Sequence, residues 1–437
     1  VILARFLLVA LLVVAASPAT PFVQRTLENG LEVIAVQDST APVVTICIAV
    51  RTGATCQTPE TCGLAHFYEH MFFKGNASLP DQTAYNSRMR ELGIIQNGMT
   101  SDEMVRYFIT LPSQRFDEGM EFMYYAIATP LFDEEEIEKE RQVVLDEYNR
   151  GTTSPFWSYW LSREQVIFPD APWRASTIGR PEVIASADEG AMRHFLETYY
   201  TPDNCALIVA GDVEPEMVFA LAATYFTAWS GEGGSDYDEL PVITRISSDT
   251  TVIVPSPSGT SFVSVAMAGP PFHLDTSSTY AADVWGSYLE LMSREFYNDL
   301  VTDGPFYNIS AGYYTQRCDP VISFSGSVAE GHEMEALAAL HAEIDQLSDP
   351  GYYDAEGLRL AIEMLRRNRL LSEETAYDVA VESLAFWWVL GGDLDYYSSY
   401  LDSLEAVTPE DLSRFIARYL EDRPRASFVL LPEGGAE

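Results

Sequence analysis

The sequence predicts an α+β protein made of two similar domains, and three observations carry that expectation. The first is an internal echo. Phe195 and Tyr199 recur as Phe415 and Tyr419, and Ile208 and Val209 as Phe428 and Val429, all at one offset of 220 residues. The second is order: each half has paired strand patterns, then helical stretches, then a helix followed by an apolar strand. The third is residues 229–241, WSGEGGSDYDELP, whose Gly, Ser and Asp read as a linker. At roughly 100–200 residues per domain, the 437-residue chain accommodates two such units. The expected divisions are a leader over 1–19, an N-terminal domain over 20–230, a linker over 231–241 and a C-terminal domain over 242–437.

The leader reads VILARFLLVALLVVAASPA. Arg5 gives it a positive start, residues 6–16 are apolar, and Ser17 and Ala19 are the small residues of a cleavage site. The apolar run is short beside the ~20 residues of a spanning helix. A mature chain starting near Thr20, periplasmic or secreted and without stable membrane insertion, is the expectation. Next, Asn29-Gly30 signals a two-residue hairpin turn, and residues 43–50 form an apolar strand. Helical stretches are expected over 63–75, 81–92, 115–128 and 133–150. Ser186-Ala-Asp-Glu189 reads as a capping box opening a helix to Tyr200, ahead of a strand at 206–210. The second half opens on strands at 251–254 and 262–268, and Thr408-Pro-Glu-Asp411 starts the second copy of the final helix.

Charge narrows the partners. The chain has 26 basic against 65 acidic side chains, a net charge of −39. Such a polyanion is repelled by nucleic acid and by anionic membranes. Its lysines are Lys74 and Lys139 alone. An acidic, lysine-poor surface fits either a salt-adapted protein or an ordinary acidic secreted one. Export makes disulfides possible. Of Cys47, Cys56, Cys62, Cys205 and Cys318, the pair flanking Pro59, Cys56 and Cys62, is the disulfide candidate, while Cys47 in VVTICIAV reads as a buried thiol. No CxxC occurs, so a thiolate zinc site is not indicated.

The chemistry lies in GLAHFYEHMFFKG, residues 63–75. His66, Glu69 and His70 stand at i, i+3 and i+4 and share one helix face. Two imidazoles one turn apart can bind one metal ion, and the carboxylate between them can hold a water beside it. This is the inverted HxxEH pattern. A hydrolytic zinc site needs a third protein ligand and an open position. The acidic stretch FDEEEIEKERQVVLDEYNR supplies candidates: Glu140 and Glu147 lie two turns apart on one face, with Ile137, Val144 and Tyr148 able to pack inward. Taken alone, such a helix reads as a solvated charged face. His194, His273, His332 and His341 are scattered and read as ordinary residues.

The segment resembles the insulinase/pitrilysin superfamily of HxxEH zinc peptidases, closest to its short two-domain bacterial members related to the mitochondrial processing peptidase. In that family a glutamate ligand follows HxxEH by about 76 residues, and 76 residues separate His70 from Glu147 here. The resemblance continues through NGMTS at 97–101, EKERQVVLDE, Ile178-Gly179-Arg180-Pro181, TYYTPDNCALIVAGDV and SREFYNDL. It implies two homologous domains, each a mostly antiparallel sheet covered by helices, forming half of a clam-shell chamber. It implies one zinc ion per chain on His66, His70 and Glu147, with Glu69 as catalytic acid–base and Glu140 orienting a ligand histidine. Asn97, Gly98, Met99 and Thr100 match the edge strand to which an extended peptide substrate adds. Relatives that act alone carry an arginine and a tyrosine in the second domain. Tyr307 stands in the tyrosine's place, but Leu300 or Val301 stands in the arginine's, and Arg294 is too far upstream. The resemblance therefore implies a heterodimer with a zinc-less homologous subunit supplying the arginine–tyrosine pair, or a homodimer. The expected activity is a zinc endopeptidase acting on extended or unfolded peptides. The alternative is a non-catalytic scaffold of the same fold, although such relatives lose motif residues and all four are intact here.

Overall fold

One central strand in each half, Val43–Val50 in the first and Phe262–Ala268 in the second, organises the molecule, because it lies in the middle of a sheet that is apolar on both faces. The structure, a computed structural model, describes residues 20–231, 236–240, 242–256, 259–292 and 294–432. The expected leader lies outside those residues, as does part of the expected linker.

The first half holds strands β1 (Val23–Thr26), β2 (Glu32–Gln37), β3 (Val43–Val50), β4 (Ile95–Thr100), β5 (Val105–Pro112) and β6 (Cys205–Gly211). Its helices are α1 (Leu64–Phe72), α2 (Gln82–Leu92), α3 (Phe116–Ala128), α4 (Glu134–Gly151), α5 (Trp157–Ile167), α6 (Pro181–Ser186), α7 (Glu189–Tyr199) and α8 (Pro215–Phe226). The second half holds β7 (Thr250–Ser256), β8 (Phe262–Ala268), β9 (Ser310–Tyr313), β10 (Val321–Ser327) and β11 (Ala426–Pro432). Its helices are α9 (Thr276–Leu289), the single turn α10 (Glu295–Tyr297), α11 (Glu333–Gln346), α12 (Ala355–Leu371), α13 (Ala385–Gly391), α14 (Asp395–Glu405) and α15 (Pro409–Tyr419).

The sheets run β1-β2-β6-β3-β5-β4 and β7-β11-β8-β10-β9. Apart from β1 the two orders superpose. In each, one parallel pair (β2 with β6, β7 with β11) is followed by antiparallel pairs out to an edge strand. The molecule is thus α+β with two mixed, mostly antiparallel sheets covered by helices. The offset of 220 is retained where Val209 opposes Ile46 and Val429 opposes Val263.

Alternation along β3 sends Ile46 and Ile48 to the first half's helices and Cys47 and Ala49 to the second half. Each half then lends one helix to the other's sheet. Tyr159 of α5 reaches Ser264 of β8 and stacks edge-on against Phe428 of β11. In return, the π-helical segment Asp378–Leu384 leading into α13 covers the first sheet, with Tyr377 against Phe108 and Arg106 donating to the Val381 carbonyl. The turn between β4 and β5 is clasped from the same side. Glu103 accepts the backbone N–H groups of Arg317 and Cys318 at 2.8 and 2.9 Å, and Asp102 accepts from the Gln316 amide at 3.0 Å. Burial pushes the Glu103 carboxyl up to about 7 despite those donors.

Three expectations need correction. The Asn29-Gly30 hairpin is present, but its loop runs over residues 27–31 rather than two residues, with Asn29 donating to the Phe226 and Trp229 carbonyls. Ser186 ends α6 instead of capping α7. Pro181 at the first turn of α6 starts a helix that uses up Ser186, and Asp188 becomes the cap, accepting from the Ala191 N–H at 2.9 Å. The Thr408 capping box does form. Finally, Cys56 and Cys62 are separate free thiols, like the other cysteines. Cys62 is buried with its Sγ 3.6 Å from the Trp173 carbonyl, and burial pushes both thiols up to about 11. No helix among the described residues is long and apolar enough to cross a membrane.

Candidate metal centre

Two glycines set where α1 begins. Gly63, in the left-handed region at φ 95°, precedes the helix, and a Cβ on it would lie 2.8 Å from the Gly179 Cα. The 178–181 segment can pass this close only because both residues lack a side chain. From Leu64 the helical period divides the residues. Leu64, Ala65, Phe67, Tyr68, Met71 and Phe72 are buried, with Phe72 stacked on Tyr107 at 3.7 Å and Tyr68 against Tyr200 at 4.2 Å. His66, Glu69 and His70 stay half-buried on the opposite face.

Helix α4 crosses that face. Asp133 caps it, accepting from the Glu135 and Glu136 N–H groups, and Ile137 and Val144 anchor it in the core. Tyr148 is half-buried and meets Trp157 edge-on. This seating points Glu147 at the two histidines. Its Oε2 lies 3.8 Å from His66 Nε2 and 3.7 Å from His70 Nε2. One ligand atom from each of the three residues falls within 4.8 Å of the others. Ligands of a tetrahedral zinc, with bonds of about 2.0–2.1 Å, stand about 3.3–3.5 Å apart. Two imidazoles and a carboxylate at these separations fit such an ion with small closing movements. Burial, with the neighbouring His70, lowers His66 to about 4 against the opposing pull of Glu147. The ring is therefore neutral at ordinary pH, as a ligand must be.

Glu140, two turns earlier on α4, lies behind the cluster. Its Oε2 is 3.2 Å from His70 Nδ1, and its Oε1 accepts from Lys74 Nζ at 2.7 Å. Burial opposes the charged form, but the bonds to His70 and Lys74 outweigh it and hold the Glu140 carboxyl below its ordinary range. Lys74 escaped the sequence reasoning. The available signal was its rarity: one of two lysines in the chain closes the HxxEH segment.

Strand β4 forms the remaining wall and is the edge of the first sheet. Gly98 is buried, while Asn97 and Met99 are exposed on the other face, and Asn97 Oδ1 accepts the Gly98 N–H at 3.0 Å. Thr100 Oγ1 donates to Glu69 Oε2 at 2.7 Å. Burial raises the Glu69 carboxyl, against the Thr100 bond and His70, which lower it. The second-half residue is not brought to this site. Tyr307 is 69% exposed beside β10, and no hydrogen bond or ring contact among the described residues ties it to the cluster. Leu300 is buried in the second half's core, and Arg294 pairs with Asp354 beneath Tyr288. A cavity of about 390 Å³ between the halves, lined in part by Asp102, Arg163, Arg174 and Asp319, shares no residue with the metal cluster. The donor set, and not cavity size, singles out the cluster.

Comparison with known proteins agrees with this geometry. Residues 32–162 match the family described as insulinase (peptidase family M16), and residues 186–365 match the peptidase M16 inactive domain. The zinc protease PqqE of Helicobacter pylori is 28% identical over 203 residues, 46% of this chain and 46% of its own length. The chain thus spans about half the length of the curated relatives it matches. Among solved structures, a protease from Helicobacter pylori superposes with a TM-score of 0.84 at 22% identity, covering 95% of this chain and all of that one. The periplasmic protease PqqL of Escherichia coli gives a TM-score of 0.75 at 17% identity, over 95% of this chain but 48% of its own.

Proposed function

Since the chain belongs to the insulinase family of peptidases (family M16), we propose that it is a zinc-dependent endopeptidase that cleaves extended or unfolded peptides. The observation that carries this reading is the convergence of His66, His70 and Glu147 within 4.8 Å, with Glu69 on the same helix face. The names of its zinc-protease relatives support the choice of metal. Bound there, zinc supplies a Lewis acid and a water whose pKa lies near 7.

The chain's own residues do the rest. Glu140 fixes the His70 ring through Nδ1 and so aims Nε2 at the site, and Lys74 fixes Glu140 in turn. The unpaired edge of β4 receives the peptide as an added strand, with Asn97 and Met99 on its exposed face. Glu69 takes a proton from the water as its oxygen bonds to the peptide carbonyl carbon, and passes that proton to the nitrogen as the C–N bond breaks. The leader pattern supports action in the periplasm or outside the cell.

A second subunit completes the site in this proposal. Nothing cationic stands where the family's arginine belongs: Leu300 is buried and Arg294 is engaged with Asp354. A zinc-less homologue, or a second copy, would supply the missing pair. That this chain matches about half of PqqL supports such pairing. The test is metal content and peptide cleavage for the parent and for Glu69→Gln. The variant is expected to keep one zinc and lose cleavage by about 100-fold or more. Cleavage equal to the parent's refutes the mechanism, and full activity as a monomer refutes the partner.

A further inference from the structure

Thr100 lies on the edge strand, and its side chain turns inward to Glu69. Gly98 and Thr100 are two apart on β4 and so face the same side. Both meet Glu69. A Cβ on Gly98 would lie 2.8 Å from Glu69 Cγ and 2.9 Å from Oε1, so the carboxylate fills the space that glycine leaves. Thr100 Oγ1 donates to the other oxygen, Oε2, at 2.7 Å. Thr100 supplies the donors to the Glu69 carboxylate among the described residues, chiefly its hydroxyl and, with a smaller effect, its backbone N–H. The last torsion of a glutamate is broad and roughly two-fold, so the carboxylate plane needs an outside partner to fix it.

We propose that Thr100 is a positioning residue for Glu69. Its hydroxyl holds Oε2 and leaves Oε1, the oxygen beside Gly98, to take and return the proton. The inference rests on the peptidase reading above. It adds a consequence: the strand that receives the peptide also carries the hydroxyl that aims the base, so substrate docking on β4 braces the proton-transfer geometry. A displacement of about 1 Å in such a group costs on the order of 100-fold in rate.

The experiment compares Thr100→Val and Thr100→Ser in the full zinc-loaded chain. Thr100→Val keeps the side chain's shape and removes the donor; Thr100→Ser keeps the donor. Thr100→Val is expected to lower kcat about 10- to 100-fold, with KM, zinc content and melting temperature little changed. Thr100→Ser is expected to recover most of that rate. Crystal structures supply a readout independent of turnover: Glu69 in one orientation in the parent, and swung or split in Thr100→Val. Should Thr100→Val fold poorly, Thr100→Ala removes the same donor and is expected to free Glu69 in the same way. The proposal is overturned if Thr100→Val cleaves like the parent, if Val and Ser lose rate equally, or if Glu69 keeps its orientation without the hydroxyl. A zinc-loaded parent that cleaves nothing even with a second subunit bound sinks the peptidase reading, while the crystallographic comparison still decides the role of Thr100.

Discussion

Helices α1 and α9 occupy the same place in the two halves and have opposite fates. Each follows the central strand of its sheet (β3 or β8) and is flanked by an edge strand (β4 or β9), a long helix (α4 or α12) and the half's last paired helix (α7 or α15). In the second half these neighbours close in, and Ala281, Ala282, Val284, Trp285, Gly286, Tyr288 and Leu289 are all buried. In the first half one face of α1 stays open to carry His66, Glu69 and His70. Counted from the helix starts, the places of Glu140 and Glu147 in α4 fall to Ala361 and Asn368 in α12. The carboxylate on α9, Asp283, accepts a hydrogen bond from Tyr400 at 2.7 Å instead of facing a site. The fold is shared, and the chemistry resides in side chains grafted on one copy of it.

The largest effect expected from this contrast is loss of the metal. Glu147→Ala should abolish zinc binding and lower cleavage by about 1,000-fold or more. The matching change Asn368→Ala should leave both untouched. Metal analysis of the two variants side by side breaks the comparison if Asn368 matters or Glu147 does not. Next in size, Glu140→Gln should weaken zinc binding about 10- to 100-fold, read by competition with a chelator. An unchanged affinity would mean that the bond to His70 orients nothing.

A smaller effect belongs to the second half. Burial pushes Asp283 up to about 7, opposed by its bond from Tyr400. The folded state therefore holds its proton more tightly than the unfolded chain does. That contribution to stability is complete below the ordinary carboxylate pKa and is lost as pH rises through about 7. Asp283→Asn should leave the melting temperature unchanged near pH 4, raise it by a few degrees at pH 8, and leave zinc content alone. A fall at pH 8 would contradict the assignment. The smallest effect is expected from reductant. With Cys56 and Cys62 as separate thiols, dithiothreitol should shift the melting temperature by no more than about 1 °C, whereas a disulfide closing a loop there would be worth on the order of 2–4 kcal/mol. A drop of several degrees would reinstate the pair.

Much of the first half was legible in residue order because helical geometry is local. His66, Glu69 and His70 share a face wherever that helix packs, and Glu140 and Glu147 share another. The repeated order of strands and helices likewise foretold two similar units. The capping helix at Ser186 was misread because a proline five residues earlier starts a separate helix, so two overlapping local signals competed. The cysteine pair was misread because closeness in sequence says nothing about where two side chains point.

By itself the sequence determined which residues could form a metal site, since spacing along a helix is fixed by the backbone's own period. It also determined the continuous apolar run that makes β3 a two-faced core strand. Only the tertiary structure decided which oxygens meet which nitrogens. The seating of α4 on Ile137 and Val144 turns Glu147 to the histidines. The end of the HxxEH helix brings Lys74 to Glu140, and the edge strand brings Thr100 to Glu69. The exchange of α5 and α13 between halves was settled at the same level. These distances join elements far apart along the chain, and they follow from how the faces pack, which local periodicity does not specify.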